Sequence, residues 1–471
     1  MNTLRLILIF SVVFVLGLDA NADESRRSVD EIVALIDASE PGATVVVPAG
    51  VYEGNLQISK PIVLEGNGVV TLDGLGQDSV VELGVAGITL RGMTIRGSGS
   101  TVDQEPAGVR AFDGPVVIEG NHFEDVYFGI DLRQSPKSII RNNTIVGKEL
   151  ELGRRGDGIR LWWSHNCVIE DNVIDSVRDM VFWYSEDLSV ARNTVTNSRY
   201  GLHFMYSHNT VLKANDLVGN SVGIYLMYSN NIHLIGNSIL NNRGTSGYGI
   251  GLKDCDGITV ADNALLANRV GIYIDNSPSS VDSYGIITGN KVAFNEIGLL
   301  ATPITHDNVI SKNAFLENEE QVTVHGGGNL NLNSFSTDGV GNFWSSYVGF
   351  DRDHDGIGDF PHAPRSLFRT LLARQPNLRL FLHSPAQQAI ELTARAFPEL
   401  SPDPIFVDSS PLTRVPELSL LDTSGGRIDR TPMVLFALGL LGFSGVGAFL
   451  IAHQHRLPTI ESTNPTGRAL V

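Results

Sequence analysis

The sequence is short of the features that define most protein classes. Two cysteines in 471 residues cannot build a disulfide scaffold, and only 7% of the residues are aromatic. Basic side chains are the scarcer sign, 34 against 52 acidic ones, which leaves a formal charge of −18. Phosphate-rich partners are held by clustered Lys and Arg. The body of the chain has no such cluster, so nucleic acid and anionic lipid are not expected as its partners. Long apolar runs are also missing from the body and occur only near the two ends.

The first run, Leu6 to Leu18, follows Arg5 and precedes Ala20-Asn21-Ala22, a small-x-small cleavage pattern. It predicts a secretory signal peptide over 1–22. The second, Pro432 to Ala452, contains no charge and is long enough to cross a bilayer core of roughly 30 Å. A transmembrane helix is therefore expected over 431–452, with the body outside and a cytoplasmic tail at 453–471.

What the chain does have is glycine, 49 residues of it, and a period. Gly201 to Ser207 (GLHFMYS) returns 22 residues later as Gly223 to Ser229 (GIYLMYS). Asn recurs at positions 121, 143, 172, 193, 215, 237, 263, 290 and 313, and a Gly often follows eight residues on, as at Gly129, Gly201, Gly223, Gly271 and Gly298. Asp179 stands in the glycine place of one unit. Short apolar strands at a fixed period with tolerant insertions are the signature of a solenoid. The reading is all-β, a right-handed parallel β-helix of about ten to twelve rungs over 23–345 with an N-terminal cap, its hand following the rule for parallel crossovers.

Alignment of the units sorts the positions. The first and third residues after each Gly, such as Leu202 and Phe204 or Ile224 and Leu226, are apolar throughout and should face the core, because strand side chains alternate. The sixth, from Ser135 through Ser207 and Ser229 to Cys255 and Ser277, reads as a stacked turn ladder. Cys167 and Cys255 fall four rungs apart, on the order of 19 Å at strand spacing. A disulfide needs Cα atoms within about 7 Å, so two buried thiols are expected.

Past the repeats, Asn342 to Tyr347 (NFWSSY) reads as a cap over the open end. In Asp351 to Asp359 (DRDHDGIGD), Asp351, Asp353, Asp355, Ile357 and Asp359 match positions one, three, five, seven and nine of a calcium loop, Ile357 through its carbonyl. Position twelve is His362 instead of the bidentate Glu. Amphipathic helices broken at Pro376 and Pro385 complete a segment over 346–397, followed by a Pro-rich tether over 398–430.

The remaining columns should point outward and carry the chemistry. Two residues after the Gly come Asp131, Arg160, Val181, His203, Tyr225 and Tyr273. Four and five after come Trp162, Trp163, Trp183, Tyr184, Met205, Tyr206, Met227 and Tyr228, with Asp254 and Asp275 further along. An exposed apolar patch usually marks a binding site, so Trp162, Trp163, Trp183, Tyr184, Tyr206, Tyr225 and Tyr228 are expected to form a partner-docking face unless helices or a loop cover it. Imidazole and thioether donors suit Cu(I), which makes His203, Met205 and Met227 the copper candidates. The rival expectation is an enzyme of the lyase or epimerase type acting on acidic glycans, with Asp254 and Asp275 as an acid pair on adjacent rungs. A strongly acidic chain would repel a polyuronate, which counts against it.

Several stretches resemble the NosD family closely: RRGDGIRLWWSHN (Arg154 to Asn166), YGLHFMYSHN (Tyr200 to Asn209), VGIYLMYSNN (Val222 to Asn231), GYGIGLKDCDG (Gly247 to Gly257), RVGIYIDNSP (Arg269 to Pro278), the DRDHDGIGD loop, and RLFLHSPAQQAIELTARAFP (Arg379 to Pro398). The resemblance implies a non-enzymatic periplasmic protein. Its implied partners are the membrane and ATPase subunits of an ABC transporter, a copper chaperone and nitrous oxide reductase, whose copper-sulfur centre they assemble. It names no copper ligand; His203, Met205 and Met227 come from the columns alone. With the apolar run, the expected place is the periplasm, tethered to the inner membrane.

Overall fold

The computed structural model describes residues 26–416, apart from 383. The expected signal peptide, transmembrane helix and tail lie outside these residues, as does the tether beyond 416. Among the described residues no helix is long and apolar enough to cross a membrane.

A short helix, Asp30–Asp37, covers one end through buried Ile32 and Ile36. The chain then winds as a parallel solenoid. Each middle turn contributes three short strands, and each strand pairs in parallel with its counterpart in the next turn. One face is a sheet of twelve strands. In its middle Asp179–Trp183, Tyr200–Met205, Val222–Met227, Tyr248–Lys253 and Val270–Asp275 lie side by side. The register runs Val181, His203, Tyr225, Gly251, Tyr273 across these strands.

The period is enforced from inside. Leu202, Phe204, Ile224 and Leu226 are fully buried, and Phe182 stacks on Phe204 at 4.4 Å. Each such side chain contributes roughly 1.5–3 kcal/mol on burial. The recurring asparagines form a second device. Asn193 donates its backbone N–H and its side-chain amide to Oδ1 of Asn215, at 3.0 and 3.1 Å, and Asn215 repeats this to Asn237. Only a side chain with both a donor and an acceptor can pass such a chain along a buried column. At Gly201 and Gly223 a Cβ would come within 2.6 Å of the next rung's carbonyl oxygen, so those positions are glycine for want of space. The serine column is a turn ladder: backbone N–H groups of Ser164, Ser185 and Ser207 each donate to the next Oγ at 3.0, 3.2 and 3.1 Å. Cys167 and Cys255 are free and buried.

The far end closes on Trp344, which is 1% exposed and packs against Phe315 at 4.4 Å and Phe406 at 4.7 Å. Here the sequence expectation needs correction, since part of the segment placed in the tether belongs to the cap. Asp408 is fully buried. It accepts from the backbone N–H of Asn342 at 2.8 Å and from the Trp344 indole at 2.8 Å, ending the asparagine ladder with a carboxylate in place of another amide. Leu412 N–H donates to Asn342 and Thr413 N–H to Gly356. A run rich in Pro, Ser and Asp reads as linker by composition; the long-range contacts that make it a clasp leave no local pattern. Helices Leu367–Arg374 and Pro385–Ala396 are joined by a 3₁₀ turn over Pro376–Phe381.

Candidate binding face

The face sheet gathers most of the singled-out residues into one surface. Met205 and Met227 are register partners on adjacent strands, their Cα atoms roughly 5 Å apart. His203 lies two residues before Met205 on the same side of the sheet. Trp183 pairs with both Met205 and Trp162 in register, and the two indoles meet edge to face at 5.5 Å.

Beside this column runs a stack of rings. Trp163, Tyr184, Tyr206 and Tyr228 follow one another at 4.9, 5.2 and 5.0 Å, with interplanar angles of 5°, 6° and 14°. All four sit at a corner with φ between 49° and 52°, a left-handed conformation that costs a bulky residue about 1–2 kcal/mol. The same corner in neighbouring turns holds Gln134, Asp254 and Asn276. Stacking worth about 0.5–1.5 kcal/mol per pair offsets the aromatic choice. Trp162, Trp163 and Tyr206 are 38%, 46% and 39% exposed, and Trp183, Tyr184, Tyr225, Tyr228, Met205 and Met227 are half-buried. No helix or loop covers the face.

The column two residues after the glycine departs from expectation. Asp131, Arg160, Val181 and His203 are buried, not exposed. Toward the N-terminal end, Glu105 reaches over the sheet and takes both terminal nitrogens of Arg160 at 2.9 and 2.8 Å. Arg160 also holds Asp131 at 2.9 and 3.0 Å. At mid-sheet, Tyr200 packs on His203 at 4.8 Å and on Tyr225 at 5.7 Å, and Tyr248 stacks on Tyr273 at 4.4 Å. Burial pushes the Tyr273 hydroxyl up to about 12. Tyr200 and Tyr248, neither marked in the sequence as a site residue, form with Tyr225 a half-buried wall beside His203.

His203 is the unsatisfied group of this wall. Neither ring nitrogen has a hydrogen-bond partner, and Nδ1 stands 3.4 Å from Oδ2 of Asp179. A buried imidazole without a partner, beside two register-paired thioethers, is a donor set that fits a soft metal ion.

The acid pair does not form. Asp275 stands opposite Lys253, whereas Asp254 sits in the corner column and accepts from Asn276 at 2.6 Å. Asp131 is locked among Arg110, Arg133 and Arg160. In the acidic loop, carboxylate oxygens of Asp351, Asp353 and Asp355 lie within 4.8 Å of one another, and Oδ1 of Asp351 is buried without a partner. Oδ2 of Asp351 accepts from Gly356 N–H at 2.9 Å. Ile357 N–H donates to Asp355 at 2.7 Å and Arg352 N–H to Asp359 at 3.0 Å. His362 leaves the loop and packs into the cap against Trp344, Tyr347 and Phe406.

Fold and face define a parallel β-helix that presents an aromatic and thioether binding surface on one sheet. A profile of the family described as "Periplasmic copper-binding protein (NosD)" matches residues 142–349. The "Probable ABC transporter binding protein NosD" of Pseudomonas aeruginosa is 34% identical over 383 residues, 78% of this chain and 87% of that protein. The protein of the same description from Stutzerimonas stutzeri is 36% identical over 138 residues, 29% of this chain and 31% of its own length. The A-module of the mannuronan C-5 epimerase AlgE4 of Azotobacter vinelandii shares the fold, with a TM-score of 0.50 and 17% identity over 65% of this chain and 95% of the module. The chain belongs to the NosD family.

Proposed function

We propose that this chain is a periplasmic scaffold of an ABC transporter system for assembly of the copper-sulfur centre of nitrous oxide reductase. It takes copper as cargo, or the proteins that carry copper, on the Trp, Tyr, Met and His face. The family description and the transporter-associated names of its relatives support the setting. The observation that carries the proposal is the register pairing of Met205 with Met227 beside the unpartnered ring of His203. The stacked rings from Trp163 to Tyr228 serve as the landing surface for a copper chaperone or the reductase, the helices of 366–397 contact the transporter's membrane and ATPase subunits, and the run at 431–452 anchors the chain to the inner membrane. Asp351, Asp353, Asp355, the Ile357 carbonyl and Asp359 hold a structural calcium ion at the cap.

A Met205→Leu, Met227→Leu double variant tests the copper assignment. Leu keeps volume and apolarity but removes both thioethers. In a competition titration against a Cu(I) chelator, affinity is expected to fall about tenfold or more, the scale of one lost favourable ligand interaction. Unchanged binding removes copper from this face.

The alternative, modification of an acidic glycan, finds less support. The candidate carboxylates are separated or paired elsewhere, and the aromatic faces that would stack on sugar rings are turned against each other.

A further inference from the structure

The inference concerns Asp179, and it rests on the copper reading of His203. The glycine column exists because a side chain there would strike the next rung, as the 2.6 Å approaches at Gly201, Gly223 and Gly271 show. Asp179 is the residue that breaks the column in the middle of the face. The strand pairing slips at that point: Val181 pairs with His203, but Asp179 pairs with Tyr200 in place of Gly201. A bulge of this kind re-aims a side chain, and bulges of this kind concentrate beside functional sites.

The carboxylate it re-aims is 1% exposed. Its Oδ1 accepts from Arg199 Nε at 2.9 Å and from the Tyr200 N–H at 3.2 Å. Its Oδ2 accepts from the other arm of Arg199 and lies 3.4 Å from Nδ1 of His203. Burial pushes the Asp179 carboxyl up, but the hydrogen bonds of Arg199 and His203 outweigh it and hold the group below its usual range. The acceptor facing Nδ1 is thus an anion fixed in place by a guanidinium. The other groups around the ring are Tyr200 and Tyr225, which meet it through their aromatic rings.

We propose that Asp179 is a positioning residue that keeps the proton on Nδ1 of His203, so that Nε2 carries the lone pair offered alongside the thioethers of Met205 and Met227. A carboxylate behind a metal-binding imidazole fixes its tautomer and raises its basicity. Contacts of this type are often long before the ligand arrives and tighten with it. A residue that a steric rule would make glycine is here an aspartate, and the strand is bent to accommodate it.

The test starts without copper. In the full chain labelled with ¹⁵N-histidine, long-range ¹H–¹⁵N correlations report the neutral tautomer of His203, assigned by comparison with a His203→Gln variant. The wild type is expected to show the Nδ1–H form, and Asp179→Asn, which keeps size and an acceptor for Arg199, is expected to shift it toward Nε2–H. Asp179→Gly, which restores the glycine column without the carboxylate, serves as a second variant should the first fail to fold. Cu(I) competition on the same variants is expected to show a loss of about tenfold, at the low end for outer contacts of metal ligands. An Nε2–H form in the wild type, or a tautomer and affinity unmoved by both folded variants, overturns the proposal. If instead the Met205→Leu, Met227→Leu variant binds Cu(I) normally, the copper reading fails, and the tautomer, measured without metal, still decides what Asp179 does.

Discussion

At the level of single residues, what a side chain does here depends on what the chain folds over it. His203 and His362 are both isolated histidines in the sequence. One sits in a tyrosine wall beside Asp179; the other is packed among Trp344, Tyr347 and Phe406 at 5.5, 5.6 and 5.7 Å, with Asp408 turned away toward Asn342 and Trp344. Burial drives the His362 imidazole down to about 4. An unfolded chain takes up that proton near pH 6.5, so between these values the unfolded state binds more protons. The stability this neutral ring preserves is full above pH 6.5 and is lost as pH falls toward 4, by about 1–3 kcal/mol after allowing for partial exposure. Thermal melts from pH 7 to 4 should show this slope in the wild type and a shallower one in His362→Phe, which keeps the aromatic packing. Equal slopes would exclude His362 as the origin.

At the level of elements, the ladder of Trp163, Tyr184, Tyr206 and Tyr228 holds bulky residues in a conformation that Asn or Asp adopts more cheaply. Tyr206→Asn relieves about 1 kcal/mol of backbone cost and gives up two stacking contacts of similar size. Its melting temperature should therefore lie within a few degrees of wild type, while binding of the protein partner, measured by calorimetry with purified chaperone or reductase, should weaken tenfold or more. A large loss of stability with intact binding would make the ladder architectural. The face was legible in the sequence because strand alternation exposes its columns. The ladder's stacking was not, because it depends on four corners sharing one left-handed conformation, and no single turn reveals that.

For the whole molecule, the solenoid is only as stable as its closure, since every interior ladder must end somewhere. The asparagine chain ends on Asp408, and the acidic loop is tied to the same cap through Gly358 and Pro411, and through Thr413 and Gly356. A calcium ion on Asp351, Asp353 and Asp355 would thus stabilise the cap that the whole stack leans on. Saturating calcium should raise the melting temperature by several degrees over EGTA, as mass action gives about 2.7 kcal/mol at a hundredfold excess over Kd. The difference should vanish in an Asp353→Asn, Asp355→Asn variant. No difference in the wild type would remove calcium from the loop.

The amino-acid sequence by itself determined the solenoid. Its period of near 22, its inward apolar pairs, its asparagine and serine columns and its glycine places are local and repeated, and each rung presents the same steric and hydrogen-bonding problem. It also determined which residues share the face, because alternation along a strand needs no tertiary information. Tertiary structure alone decided the rest: that Glu105 seals Asp131 and Arg160, that Asp254 and Asp275 miss each other, that Phe406 and Asp408 return to plug the end, and that a one-residue slip brings Asp179 to His203. These depend on contacts between residues far apart in the chain and on space left by neighbouring rungs, which a repeat pattern does not encode.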